Sequence, residues 1–242
     1  PKAQARPVPG LEARILFENS RCLVVNKPSG LAVHGGSGVS YGVIEAFRAA
    51  RPDAPYLELA HRLDRETSGC LVLAKRRSFL RAFQAQLREG TVIKHYLALV
   101  AGAWRGGKRI VNAPLRKNLL RGGERMVTVD ETGKAAVSVF LPVTTFADST
   151  LVDVELQTGR THQIRVHAAH IGHPLAGDGK YGDENFNNGM KSHGLRRMFL
   201  HAHLLEFMDT AGDDMISVSA PLDDDLKAVI DRLESTEIIA GK

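Results

Sequence analysis

The densest run of residues able to do chemistry is HRLDRETSG, His61 to Gly69, in which Asp64 lies between Arg62 and Arg65. Positive neighbours within a few ångströms favour the ionised carboxylate, the state that a nucleophile or general base requires. The same run also reads as a structural salt-bridge cluster on a turn, and the segment alone does not choose between the two. A second run, GRTHQIRVHAAHIGHP from Gly159 to Pro174, puts Arg160 and Thr161 at an expected helix start and Arg165 one turn further on. Helix starts hold anions readily. Residues three apart share a helix face, so His162 and Arg165 can point into one cleft.

Other patterns are weaker. His167, His170 and His173 step by three, and His201 and His203 share a strand face, which raises a metal site. No H-E-x-x-H pattern accompanies them, and no metal is expected. KPSGLAVHGGSG has the glycines of a phosphate cradle without the following Lys-Ser/Thr. Gly177, Gly179 and Gly182 of GDGKYG match a dinucleotide fingerprint, but no strand is read before them and no helix in the polar DENFNNG after them. A tight loop is expected there, and no nucleotide cofactor. Tyr96, in KHYLALV, is either a strand core residue or a platform on which a base stacks, worth about 1–3 kcal/mol.

Charge narrows the partner. The net charge is only +5, yet residues 1–121 carry 21 Lys/Arg against 8 Asp/Glu, and residues 122–242 carry 11 against 19. A segregated positive surface attracts polyanions, since each neutralised phosphate releases a counterion. From Trp104 to Arg125 the chain is basic and broken by glycines, which fits an exposed loop or ribbon touching RNA backbone through residues such as Arg116 and Lys117, or else a solvated loop. No apolar run approaches the roughly 18 residues of a membrane span. The two cysteines, Cys22 and Cys70, sit in apolar strand-like runs and suit a reducing compartment, so a cytoplasmic protein is expected.

These residues need elements to hold them. Strands are expected at Arg14–Phe17, Cys22–Asn26, Leu71–Ala74, Lys94–Val100, Lys134–Leu141, Thr150–Leu156, Phe199–Phe207 and Met215–Ser219. Helices are expected at Val39–Arg51, Ser78–Glu89 with Phe79, Phe83 and Leu87 on one face, Thr161–Ile171 capped by Thr161, and Asp223 to about Glu234. Strands and helices mix without regular alternation, so the class is α+β with a mixed, mostly antiparallel sheet. The opening PKAQARPVPG, residues 1–10, reads as a linker, and 11–242 as one large domain or two joined lobes.

Taken in order, VVNKPSGLAVHGG, HRLDRETSG, KHYLALV, GRTHQIRVH and RMFLHAHLLEF resemble the successive motifs of the RluA family of pseudouridine synthases, from about Leu11 to Leu233. Within that family, the HGGSGVSYGVIEAFRA and LRKN...GGER segments are similar to those of the type that modifies several uridines of bacterial 23S ribosomal RNA. The resemblance implies a fold of two halves with flanking helices about a central RNA-binding cleft. It implies that Asp64 is the nucleophile, that Arg62 enters the RNA stack in place of the target base, and that Tyr96 stacks on the uracil. Arg165 would pair with the catalytic carboxylate and Leu200 pack against the base. It implies large-subunit ribosomal RNA as partner, no metal or other cofactor, and, as family members often carry one, an upstream S4-type RNA-binding domain that is missing from this chain. Arg160, His162, Arg116 and Lys117 complete the expected RNA-binding set, and a monomer is expected. Two rivals remain at this point: a metal-dependent RNA hydrolase using the histidines, and a non-catalytic RNA-binding module.

Overall fold

A computed structural model of the chain describes residues 8–36, 41–119, 125–209 and 214–240. The first seven residues of the linker-like opening, the start of the helix expected from Val39, and residues 120–124 of the basic segment lie outside the described residues. Along the chain come a 3-10 turn (Glu12–Arg14), strands β1 (Ile15–Glu18) and β2 (Cys22–Lys27), helix α1 (Val43–Ala50), strands β3 (Glu58–Leu59) and β4 (Ser68–Ala74), and helix α2 (Arg77–Glu89). Strands β5 (Ile93–Ala101), β6 (Arg109–Asn112), β7 (Leu115–Leu119), β8 (Arg125–Val129), β9 (Val137–Thr145) and β10 (Ser149–Leu156) follow. Helices α3 (Gln163–His170) and α4 (Glu184–Ser192), strands β11 (Leu200–Asp209) and β12 (Asp214–Ser219), and helix α5 (Asp224–Ala240) close the chain. The class is α+β, with antiparallel pairing in β1/β2, β2/β4, β5/β10, β9/β10 and β11/β12.

The described residues form two compact units, one from residues up to Lys94 with Ala202–Pro221, the other from His95–His201 with Leu222–Lys242. In the first, strands run in the order β1-β2-β4-β11, with β12 on β11 and β3 on β4. Every residue of β2 and β4 is buried, which is why both read as near-continuous apolar runs without alternation. Phe79, Phe83 and Gln86 recur along α2 at the spacing of one helix face, and that face is the buried one. Phe79 and Phe83 meet Phe207 of β11 edge-on at 5.8 and 5.2 Å between ring centres. The Gln86 amide donates to the Met208 carbonyl and accepts from its N–H, both at 2.9 Å, so a polar side chain in the apolar stripe is fully employed. Gly90 ends α2 in the left-handed conformation, φ 74°.

In the second unit the order is β5-β10-β9-β6. Val152, Val154 and Leu156 of β10 are buried between Asp153 and Glu155, the alternation visible in the sequence. A second core gathers Phe146, Phe199 and Met190 with Leu226, Val229 and Leu233 of α5. Within the basic stretch after Trp104, expected as a loop or ribbon, β6 pairs with β9, and β7 pairs with β8 as a separate hairpin. Arg109 of β6 lies 4.5 Å over the Trp104 ring, an internal role. Two other expectations need correction. DENFNNG is helical after all, because Asp183 caps α4 by accepting from the Phe186 N–H at 2.7 Å. The cap of α3 is His162, not Thr161.

Phe83, fully buried among three aromatic neighbours, anchors the first core. Phe83→Ala is expected to lower stability by about 3–5 kcal/mol, read as a fall in the urea midpoint at unchanged slope.

Candidate functional site

Asp64 stands in a tight turn that Thr67 closes by donating its N–H to the Asp64 carbonyl at 3.1 Å. The turn is held from beside by the loop after β2. Lys27, fully buried at the end of that strand, donates its ammonium to the carbonyls of Pro28 (2.9 Å), Leu31 (2.8 Å) and Arg65 (3.0 Å). Gly30 donates its N–H to the Arg65 carbonyl at 2.9 Å, Ser29 its hydroxyl to the Glu66 carbonyl at 2.7 Å, and Arg65 its Nε–H to the Gly30 carbonyl at 3.0 Å. Burying an ammonium costs several kcal/mol or more unless it is hydrogen-bonded, so the two loops satisfy Lys27 or neither folds as seen. Beyond the turn Gly69, φ 108°, runs against Ala202, where a Cβ would overlap the backbone. Asp64 is left partly buried between exposed Arg62 and Arg65.

His61 opens the same loop and accepts the Val72 N–H on Nε2 at 3.1 Å. Loss of solvation, with the charge of Lys94 adding to it, lowers its pKa to about 4, so at neutral pH the ring is an uncharged strut. Burial also lowers the pKa of Lys94.

In the second unit, α3 starts from His162, whose φ of 54° is the one positive value among described non-glycine residues. Held strain of this kind concentrates at functional sites. Gln163, the first residue of α3, ties the segment before the helix: its side-chain oxygen accepts the Arg160 N–H (3.0 Å) and the Thr158 hydroxyl (2.8 Å). Arg165 donates Nε–H and Nη2–H to the two oxygens of Asp178 at 2.7 and 2.8 Å, and its guanidinium lies 4.9 Å over the Tyr181 ring. Burial works against the charge on Asp178, yet the Arg165 hydrogen bonds and charge, with the Lys180 and Tyr181 N–H groups, hold its carboxyl below the usual range. The Tyr181 hydroxyl accepts the Val127 N–H at 3.0 Å and meets His162 Nδ1 at 2.8 Å. His162 and Arg165, paired by spacing in the sequence, therefore converge on Tyr181 of GDGKYG, a loop that mounts a guanidinium.

Tyr96 lies on β5 opposite Val154, nearly buried at 8% exposure, and Leu200 begins β11 at 4%. Arg116, Lys117 and Arg160 line one cleft. Among the histidines of the metal pattern, His167 is buried with its ring nitrogens on Ser138 Oγ (3.0 Å) and the Ala113 carbonyl (2.9 Å), and His173 Nδ1 meets the Ala101 carbonyl at 2.7 Å. Lys27, Asp178 and Tyr181 are the residues that sequence reasoning missed. Lys27 carries no signal beyond a lysine closing an apolar strand, whereas an acid and an aromatic in a glycine loop after an arginine-bearing helix are a legible hint.

The model of the family described as RNA pseudouridylate synthase matches residues 21–170. Ribosomal large subunit pseudouridine synthase C of Pasteurella multocida is 52% identical over 223 residues, 92% of this chain and 68% of that protein. Its namesake in Haemophilus influenzae is 49% identical over 230 residues, 95% and 71% respectively. Among solved structures, human RNA Pseudouridylate Synthase Domain Containing 4 superposes with a TM-score of 0.77 at 25% identity, covering 93% of this chain and 94% of that one. The chain belongs to the RNA pseudouridylate synthase family. It is thus an enzyme of the isomerase class, and it spans about 70% of the length of these curated relatives.

His61 makes stability depend on pH. The unfolded chain takes up this proton near pH 6.5 and the folded one only near 4, so between those values the unfolded form binds more protons and stability falls with acidification. From pH 7.5 to 5 the loss is about 2 kcal/mol. His61→Gln, which keeps an acceptor for Val72, is expected to flatten that part of the urea-midpoint profile.

Proposed function

We propose that this chain isomerises chosen uridines of large-subunit (23S) ribosomal RNA to pseudouridine, with Asp64 as the nucleophile, working as a monomer in the cytoplasm. The observation that carries the reading is the mount of Asp64: a partly buried acid, flanked in the chain by exposed Arg62 and Arg65, on a turn fixed by the buried Lys27 ammonium. The names of the relatives, ribosomal large subunit pseudouridine synthase C, supply the substrate class.

An internal base is not rearranged while stacked, so the uridine is first flipped out at a cost of about a few kcal/mol. Stacking on Tyr96 and occupation of the vacated space by Arg62 offset that cost, and Leu200 packs against the extruded base. Asp64 then promotes cleavage of the bond between N1 and C1′, either by attack on C1′ or through a glycal-like intermediate. The detached uracil rotates, C5 bonds to C1′, the C5 proton leaves, and N1 ends protonated. No electrons are gained or lost and no group donor is consumed, so the reaction calls for no cofactor. Arg165 is the cation that this reading assigns to the charge developing in the cleavage step. Arg160, His162, Arg116 and Lys117 hold the RNA backbone.

The test is to map pseudouridine by carbodiimide modification and primer extension in ribosomal RNA from a strain lacking the activity. Stops at defined uridines are expected with the wild type, in chelator as without it. With Asp64→Ala or Asp64→Asn none are expected, while RNA affinity stays within severalfold. Pseudouridine made by Asp64→Ala would sink the assignment of the nucleophile. Arg165→Lys, which keeps a cation beside Asp178, is expected to lower kcat while leaving KM little changed, the pattern of an interaction made mainly in the transition state.

A further inference from the structure

The second unit contains a cleft of about 430 Å³ at the base of the β7–β8 hairpin, within the ~300–1,000 Å³ of sites that hold small organic groups. Arg116 and Lys117 of β7, Lys134 beyond β8 and Arg160 before α3 line it, over Leu115 and Val127. Arg116 is 3.5 Å from Asp130, whose carboxylate also accepts the Thr132 N–H (2.8 Å) and hydroxyl (2.6 Å). Among the described residues no carboxylate pairs with Lys117, Lys134 or Arg160.

The walls are built rather than incidental. Lys134 and Leu115 exchange backbone hydrogen bonds, both at 2.9 Å, and Asp130 donates its N–H to the Pro114 carbonyl at 2.9 Å. Gly133 makes this possible, since a Cβ there would overlap the Leu115 and Asp130 backbones. On the opposite wall Arg160 donates Nε–H to the Ala135 carbonyl at 3.0 Å. Lys117, Lys134 and Arg160 gather like charge at one cleft, and a bound anion offsets that repulsion. The apolar floor beneath them suits a group with a hydrophobic face attached to its charge.

We propose that this cleft is a subsite for one unpaired nucleotide of the RNA, other than the target uridine. Its phosphodiester lies on Lys134, Lys117 and Arg160, and its sugar and base lie toward Leu115 and Val127. An unpaired nucleotide fits better than a duplex, which offers its phosphates with the bases stacked away. The inference rests on the reading of the chain as an RNA-modifying enzyme, and adds Lys134 and Thr132 to its substrate surface.

Thr132→Cys places a thiol at the lip of the cleft. The native thiols stay silent to alkylation, because both are buried and loss of solvation pushes Cys22 and Cys70 up to about 12. A short single-stranded fragment of large-subunit ribosomal RNA is expected to slow maleimide labelling of Thr132→Cys severalfold, and polyglutamate of equal charge is not. Independently, Lys134→Gln is expected to weaken binding of that RNA and to reduce the slope of log K against log salt by about 0.7, the value for one contact to a single strand. Unchanged labelling with RNA, or an unchanged slope in Lys134→Gln, would overturn the subsite. Equal protection by polyglutamate would overturn it in favour of an acidic protein partner. The two readings fail separately: RNA protection without any pseudouridine formation leaves the cleft and removes the catalytic proposal, and pseudouridine formation without protection does the reverse.

Discussion

A charge taken out of water must be met by its own hydrogen bonds, and each compact unit is organised about one such cation. In the first it is Lys27, whose ammonium ties three carbonyls from two loops that are distant in sequence. In the second it is Arg165, whose guanidinium is clamped by Asp178, itself fully shielded from solvent. Replacing such pairs by apolar groups often costs little, whereas removing one partner leaves a buried charge or unsatisfied carbonyls and costs several kcal/mol. Both cations therefore act as locks: either the whole local arrangement is present, or it is not.

That constraint explains how a loop can serve as a precise mount. The turn at Asp64 has no regular ladder of its own, only the Thr67 closure, yet it is bonded to the Lys27–Gly30 segment through the Arg65 and Glu66 carbonyls and the Arg65 side chain. Neutral His61 fixes its near end to β4 through the Val72 N–H, and the tight passage of Gly69 against Ala202 fixes its far end. A side chain on such a mount keeps its position without spending conformational entropy when substrate arrives.

Much of this was legible in the sequence, and what was not has a physical reason. The stripe Phe79/Phe83 announces α2, and the alternation in 152–156 announces β10, because over those residues a single face is buried in each. The cluster around Asp64 stands out because charges of both signs crowd one short loop. Lys27 does not stand out, since a lysine ending a strand is usually solvated and its burial depends in part on a carbonyl 38 residues away. The helix at Glu184–Ser192 was hidden by its poor intrinsic formers, Asn and Gly, and exists through the Asp183 cap and the packing of Met190 and Phe186. The strained His162 has no signature at all: a histidine with positive φ is held there by its neighbours, Tyr181 above all.

The clamp on Arg165 orients the guanidinium for the role proposed for it. A guanidinium has five N–H groups in a fixed plane, and the bidentate contact with Asp178 engages Nε and one hydrogen of Nη2. The plane that carries its donors is set by Asp178 on one edge and Tyr181 on its face. A free arginine would have to give up side-chain entropy to reach a second carboxylate; a clamped one has given it up during folding. Asp178 thus supports the proposed catalytic role of Arg165, and it is the glycine loop dismissed as a nucleotide site that supplies it.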